Sequence, residues 1–231
     1  MALKIYQGSE HQLAHADINI VIDVIRAFTV AHYAFINGVE EILLAGTVED
    51  AWKLKESNPH CLLAGEVNGV PIEGFELDNS PARIAREDLT GRILVQKTTN
   101  GVKATLNALQ ADFVFVTGFS NARTTAEYVS RIKSRADREL TINIIASHPT
   151  SDDDLACAEY MAGIIDGKGT IQTTAIQERI RTAEVTEKFF DPHRPEFDPE
   201  DILFCMRETE TPFVMKVNTL RQIPTIERIA I

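Results

Sequence analysis

Asp23 and Arg26 end an apolar, β-branched run, Ile18-Asn-Ile-Val-Ile-Asp-Val-Ile-Arg26, just before the turn Ala27-Phe-Thr29 and a helical pattern. An acid and a base at the carboxyl end of a strand stand where α/β proteins gather ligands; the competing reading is a structural ion pair. Glu66 repeats the arrangement, abutting the apolar Cys61-Leu-Leu-Ala-Gly65 through a glycine, a setting that suits a hard oxygen ligand for Mg²⁺. Lys97-Thr98-Thr99-Asn100-Gly101 joins a strand to a helix. Its N–H groups, hydroxyls, amide and ammonium form an anion cradle, although the same residues can simply cap the helix. Asn79 and Ser80 close a polar loop, as site residues or as turn and N-cap residues. Asp152, Asp153 and Asp154 open another helix; the macrodipole accommodates acids there, yet three in a row repel one another and call for a cation or an arginine.

Several site types are absent from the sequence. It has no GxxxxGK[ST] loop, no GxGxxG after the first strand, no GxSxG elbow and no HExxH spacing. Asp23 also lacks the second Asp two residues on that haloacid-dehalogenase-type phosphatases use. Among the histidines only His148-Pro149, at a strand end, merits attention, and it reads first as a turn.

The elements that must position these residues alternate. Strands are expected at 18–24, 41–45, 61–65, 92–96, 113–117 and 141–146, with helices at 27–37, 47–57, 102–110, 122–135 and 151–166 between them. Residues 67–81, with two Gly and two Pro, read as a long surface loop of the kind that often carries function. Beyond residue 170, one long exposed helix at 173–189, a helix at 199–208 and a closing strand at 212–220 are expected. The implied fold class is α/β: a layered, mainly parallel central sheet with helices on both faces and C-terminal helices and strand as a cap. Residues 1–231 read as a single domain, with 170–231 as its cap or as a small lobe.

A hydrophobic content of 44% with 25% charge is ordinary for a globular chain, and the net charge of −11 argues against a nucleic-acid surface. It leaves room for a local positive pocket and a small anionic substrate. No run approaches the roughly 20 apolar residues of a membrane span, and the start of the chain lacks a signal-peptide core. Cys61, Cys157 and Cys205 read as buried free thiols, so a cytoplasmic location is expected.

Val21-Ile-Asp-Val-Ile-Arg-Ala27, Gly65-Glu66 with Gly74-Phe-Glu-Leu-Asp-Asn-Ser-Pro81, Thr98-Thr-Asn-Gly101 and Asp153-Asp-Leu-Ala-Cys-Ala158 occur in this order, and together they resemble the 2-phosphosulfolactate phosphatase family. The resemblance implies an Mg²⁺-dependent phosphatase that converts 2-phospho-3-sulfolactate to 3-sulfolactate and phosphate, a step of coenzyme M biosynthesis in methanogens, and a homodimer. On that basis Mg²⁺ is expected on Asp23 and Glu66 with Asp153 or Asp154. Arg26, Lys97 and Thr98–Gly101 would take the phosphoryl charge, and Asn79 and Ser80 the rest of the substrate. Asp23 is then either a nucleophile or a ligand that positions water. The chain departs from the family pattern with Val67-Asn68 after the Glu, Asp78 before Asn-Ser-Pro, and Val102-Lys103 after Asn-Gly. Two alternatives follow: a small-anion-binding protein without turnover, or a phosphatase for another small phosphorylated carboxylate.

Overall fold

The computed structural model describes residues 3–169 and 171–231; positions 1, 2 and 170, which fall in the expected domain and at the start of its cap, lie outside that description. The strands are β1 (Leu3–Gln7), β2 (Ala16–Ile22), β3 (Glu41–Leu44), β4 (Leu62–Val67), β5 (Val70–Pro71), β6 (Ile93–Lys97), β7 (Ala111–Thr117), β8 (Ile142–Ala146), β9 (Phe213–Asn218) and β10 (Thr225–Ala230). The helices are α1 (Ala27–Ile36), α2 (Val48–Ser57), α3 (Pro81–Ile84), α4 (Gly101–Asn107), α5 (Ala122–Arg135), α6 (Asp152–Asp166), α7 (Thr173–Thr182) and α8 (Glu200–Cys205).

All the strands form one sheet in the order β1-β8-β2-β7-β9-β10-β3-β6-β4-β5. It contains two parallel blocks, β1-β8-β2-β7 and β3-β6-β4. The α/β class expected from the alternating pattern therefore holds. The closing strand, however, does not lie at the periphery. It pairs with β10, and this hairpin sits in the middle of the sheet, antiparallel to β7 on one side and to β3 on the other. Three successive antiparallel pairings set the two blocks against each other in ladder sense. Their carboxyl ends nevertheless meet at one cavity, lined by residues at the ends of β2, β4 and β6.

Helix α1 lies inside the fold. It buries every residue from Ala27 to Phe35, a helix apolar on all sides that must be enclosed rather than laid on a surface. Phe28 and Phe35 pack in one cluster with Ile42 of β3, Leu94 of β6, Val116 of β7 and Met215 of β9. On the outer face of the first block, Ile18, Ile20 and Ile22 of β2 pack against α5, α6 and α7. Helix α2 covers β4 and β6 through Ala51, Leu63 and Val95. Thr47 caps α2 as expected, its hydroxyl accepting from the Asp50 N–H at 3.0 Å. All three cysteines are free and buried. No helix among the described residues is long and apolar enough to cross a membrane.

Three further departures from the sequence reading bear on the site. Strand β1 was hidden in the polar start, because an edge strand with Lys4 exposed carries little hydrophobic pattern. The loop 67–81 is not a free surface loop: β5 returns against β4, and Leu77 bridges Ala64, which draws Asn79 and Ser80 inside. The helix expected at 173–189 breaks at Ala183, whose backbone is extended (ψ 144), and continues as a 3₁₀ segment, Glu184–Phe190. The break lies in Thr182-Ala-Glu-Val-Thr186, where the Thr186 hydroxyl donates to the Ile180 carbonyl at 2.9 Å and so competes with the next helical turn. Ile176, Ile180 and Phe189 are buried while half of α7 stays exposed, so what departs from the expected, mostly exposed helix is its continuity.

One buried titratable group has a consequence for stability. His32 of α1 lies fully buried between the hydroxyls of Ser120 (2.9 Å) and Thr211 (3.2 Å), and burial pushes it from 6.5 down to about 3. The folded chain therefore keeps it neutral where the unfolded chain would protonate it, and stability is lost as pH falls below 6.5. Between pH 7.5 and pH 5 the His32 contribution drops by about 2 kcal/mol. Urea unfolding of the protein and of His32→Gln should show their stability difference shift by that amount in favour of the variant at pH 5. A difference that is constant with pH would mean that His32 titrates normally in the fold.

Candidate active site

Strand β2 delivers Asp23. Its backbone N–H continues the ladder to the Thr117 carbonyl (3.1 Å), and its Oδ1 accepts the Ala27 N–H (2.9 Å), so the carboxyl also ties down the first turn of α1. The Ser147 hydroxyl lies 3.3 Å from Oδ2 and 3.0 Å from Asp154 Oδ2, its single proton shared between the two carboxylates. Gly101, at the start of α4, approaches so closely that a Cβ there would lie 2.6 Å from Asp23 Oδ2. Burial raises the Asp23 carboxyl to about 7, with the negative charges of Asp153 and Glu66 adding to the rise and the Ala27 N–H opposing it.

Arg26 is a structural ion pair as well as a cavity residue. Its Nη1 donates to Asp201 Oδ2 at 2.8 Å with both side chains buried, and Nη2 donates to the Gly69 carbonyl at 3.1 Å. Its guanidinium lies 4.9 Å from the Phe189 ring centroid and 5.5 Å from that of Phe197. Asp201 also accepts the Ser80 hydroxyl and the Ala82 N–H (3.1 Å), and Ser80 in turn caps α3. Ser80 thus holds the carboxylate that holds Arg26 and does not itself line the cavity.

Strands β4 and β6 deliver the second acid. Gly65 (φ +148) lies so close to β6 that a Cβ would overlap the Lys97 carbonyl at 1.9 Å, which accounts for the glycine before Glu66. The Glu66 carboxylate accepts the N–H groups of Gly69 and Thr99 and, at 2.9 Å, the Thr99 hydroxyl. The residues expected as an anion cradle divide their work. Thr99 and Asn100 line the cavity, whereas the Thr98 hydroxyl accepts the Val102 N–H at 3.0 Å and so caps α4. Lys97 Nζ donates to the Glu66 carbonyl at 3.2 Å, and burial pushes its ammonium down while Glu66 raises it. Lys97, Thr98 and Gly101 support the wall from behind.

The acidic helix start also divides. Asp152 pairs with Arg179, the arginine partner anticipated for this cluster. Asp154 accepts the Val24 N–H (2.7 Å), the Ser147 hydroxyl (3.0 Å) and the His148 N–H (3.0 Å), locking the β2 and β8 ends together. Asp153 accepts the Ser151 hydroxyl. Both are buried and raised by desolvation, yet neither lines the cavity. Of the four carboxylates named as candidate ligands, Asp23 and Glu66 line the cavity.

The cavity measures about 340 Å³. Besides Asp23, Arg26, Glu66, Asn79, Thr99 and Asn100 it is lined by His148, the one histidine the sequence singled out and read first as a turn, and by residues the sequence reading did not assign to a site, chiefly Asn68, Gly69, Lys188 and Phe189. His148 Nδ1 accepts the N–H groups of Thr150 (3.3 Å) and Ser151 (3.0 Å), so the neutral ring carries its proton on Nε2. Asn79 is 4% exposed, and its side-chain oxygen has no partner among the described residues. A larger cleft of about 600 Å³ lies at the opposite ends of β2 and β7, around Ile18, Phe113 and Leu140. It gathers none of these groups, and chemistry rather than size decides between the two.

The donor set fits a hard divalent cation in one form. No cluster of three or more His, Cys, Asp or Glu able to hold an ion occurs among the described residues, so a closed protein cage is not built. Mg²⁺ instead keeps several waters and uses one or two carboxylates plus substrate phosphate. Asp23 has two of its roughly four acceptor positions engaged, and its desolvated carboxyl beside Asp153 and Glu66 is the kind of excess negative charge a cation relieves.

A family model for 2-phosphosulpholactate phosphatase matches residues 4–219. A protein of Bacillus subtilis named as a probable 2-phosphosulfolactate phosphatase is 55% identical over 231 residues, the whole of both chains. Proteins with the same name from Caldicellulosiruptor saccharolyticus and Clostridium novyi are 34% and 35% identical over 148 residues, in each case 63% of this chain and 61% of theirs. With one relative alike from end to end and a family match that takes in every strand end around the cavity, the chain belongs to the 2-phosphosulpholactate phosphatase family.

Proposed function

We propose that this protein hydrolyses a small phosphate monoester that carries further acid groups, 2-phospho-3-sulfolactate, to 3-sulfolactate and phosphate in an Mg²⁺-dependent reaction. The observation that carries this reading is one cavity with two acids, Asp23 and Glu66, facing two cations, Arg26 and Lys188. The family and the name of the Bacillus subtilis relative supply the substrate.

Asp23 and Glu66 would hold the ion, which when bound polarises phosphoryl oxygens and neutralises their charge. Arg26, fixed by Asp201 and the Gly69 carbonyl, presents positive charge to the equatorial oxygens without reorganising. The side-chain amide of Asn100 and the neutral Nε2–H of His148 add donors on the same wall. A water oxygen bonds to phosphorus as the ester P–O bond breaks. The ester oxygen leaves as the hydroxyl of the product, taking a proton derived from the water.

Phosphate release from 2-phosphosulfolactate and from p-nitrophenyl phosphate, assayed after chelation and again with added Mg²⁺, tests the proposal. Release from the first ester should be lost on chelation, by at least ~10²-fold, and return with the metal. Metal-independent release would remove the Mg²⁺ assignment. Binding of phosphosulfolactate without release would replace the enzyme with an anion-binding protein on the same fold.

A further inference from the structure

Lys188 sits in the 3₁₀ segment Glu184–Phe190 that the break at Ala183 turns toward the cavity. Its ammonium makes no ion pair or hydrogen bond among the described residues. Its neighbours are two ring faces instead, with Nζ 4.8 Å from the Phe197 centroid and 5.8 Å from that of Phe189. The same rings carry two more cations, Arg26 over Phe189 and Arg194 at 4.4 Å over Phe197. Arg26 is neutralised by Asp201 and Arg194 by Glu196. Lys188 is the member of this trio left without a carboxylate.

Burial and the charge of Arg26 both work against the protonated lysine, while Glu66 and Asp153 favour it. A cation held rigidly by aromatic packing, crowded by like charge and facing a cavity gains most from an anion that arrives with a ligand. A second group on the same wall also lacks a partner: the buried Asn79 side-chain amide, whose oxygen is unsatisfied and which can turn either end to a ligand. Neither group is on a strand end. Lys188 comes from the C-terminal segment and Asn79 from the loop before α3, whereas Asp23, Glu66 and Thr99 come from the ends of β2, β4 and β6.

The geometry points to Lys188, with the Asn79 amide, as the subsite for the substrate's non-transferred acid group, a carboxylate or sulfonate, and so as the residue that selects multiply charged phosphate esters over simple ones. This rests on the phosphatase reading above, which puts the phosphoryl group at Asp23, Glu66 and Arg26. A contact to a group that does not change charge in the reaction contributes equally to ground state and transition state. It belongs in KM and not in kcat.

Lys188→Met keeps the apolar stem against the rings and removes the charge, and Lys188→Arg keeps the charge. With 2-phosphosulfolactate, Lys188→Met should raise KM by ~10- to 100-fold with kcat within about twofold, and Lys188→Arg should recover most of the loss. With p-nitrophenyl phosphate, which has no second acid group, kcat/KM should fall far less than with 2-phosphosulfolactate. Equal losses on both esters, a fall confined to kcat, or no change on either would overturn the assignment. Titration calorimetry with 3-sulfolactate reads the same subsite without turnover, and binding should weaken at least tenfold in Lys188→Met. Equal binding in the two proteins, or none in the unaltered one, would also overturn it. Failure of the unaltered protein to release phosphate from either ester would sink the phosphatase reading instead, and the calorimetry would still decide on Lys188.

Discussion

Asp23→Asn lowers phosphate release by ~10³-fold or more, equivalent to about 4 kcal/mol of transition-state stabilisation, and at the same time makes the metal-free protein more stable at alkaline pH. The two effects share one cause. Asparagine is isosteric, and its oxygen still accepts the Ala27 N–H, so the first turn of α1 keeps its tie. What disappears is a carboxylate that burial, Asp153 and Glu66 raise to about 7 from a usual 3.8. An acid whose pKa is raised on folding costs the fold nothing below its unfolded value of 3.8; stability is lost progressively from there as pH rises to about 7, where the loss is complete. At pH 8 without metal, Asp23→Asn should therefore melt several degrees above the unaltered protein, at roughly 2–4 °C per kcal/mol for a chain of this size. At pH 5.5 the gap should shrink to about half, and it should close only as pH falls below the unfolded value of 3.8. Added Mg²⁺ should raise the melting temperature of the unaltered protein and leave that of the variant where it was. A variant that melts lower at pH 8 would show that Asp23 serves α1 more than the site, and a variant with full activity would remove Asp23 from the chemistry altogether.

Asp23 and Glu66 were legible in the sequence because each ends a short apolar run, and an acid has no reason to follow such a run unless something at the strand end uses it. Lys97 reads in the sequence as part of an anion cradle or of a helix cap. The structure gives it a third use, a hydrogen bond to the Glu66 carbonyl that ties β4 to β6. Lys188 and Asp201 were not legible. Lys188 reaches the cavity only because the chain breaks at Ala183, and an Asp at the start of a short helix after a proline looks like an ordinary macrodipole acid. Asp201 instead meets Arg26 across 175 positions of sequence. The alternation of strands and helices fixed the class, but it reads the same for one parallel block or for two. That a C-terminal hairpin separates the blocks follows from burial on both faces of β9 and from α1 needing enclosure on all sides, which local pattern does not encode.

Arg26→Met should destabilise the protein by about 3–5 kcal/mol, because it leaves Asp201 buried without its cation. On a chain of this length that is a fall in melting temperature of about 10 °C. The loss should also depend on pH. Burial already raises Asp201, and Arg26 is the leading influence holding it down. Without Arg26 the folded carboxyl moves further up and favours the protonated form, so the variant should be least stable at pH 8 and recover part of the deficit near pH 5.5. Adding Asp201→Asn removes the orphaned charge while keeping an oxygen for the Ser80 hydroxyl and the Ala82 N–H. The double variant Arg26→Met/Asp201→Asn should regain more than half of the lost stability, with activity still absent because the cavity has lost the cation that meets the phosphoryl group. A double variant no more stable than Arg26→Met would assign the loss to packing of the guanidinium on Phe189 and Phe197 rather than to charge. Stability and catalysis are separable at this residue because its two nitrogens face different ways: Nη1 serves Asp201, and the rest of the group is left for the cavity and the Gly69 carbonyl. Recovery of stability without recovery of turnover is the outcome that distinguishes an arginine held for chemistry from one kept only as half of a salt bridge.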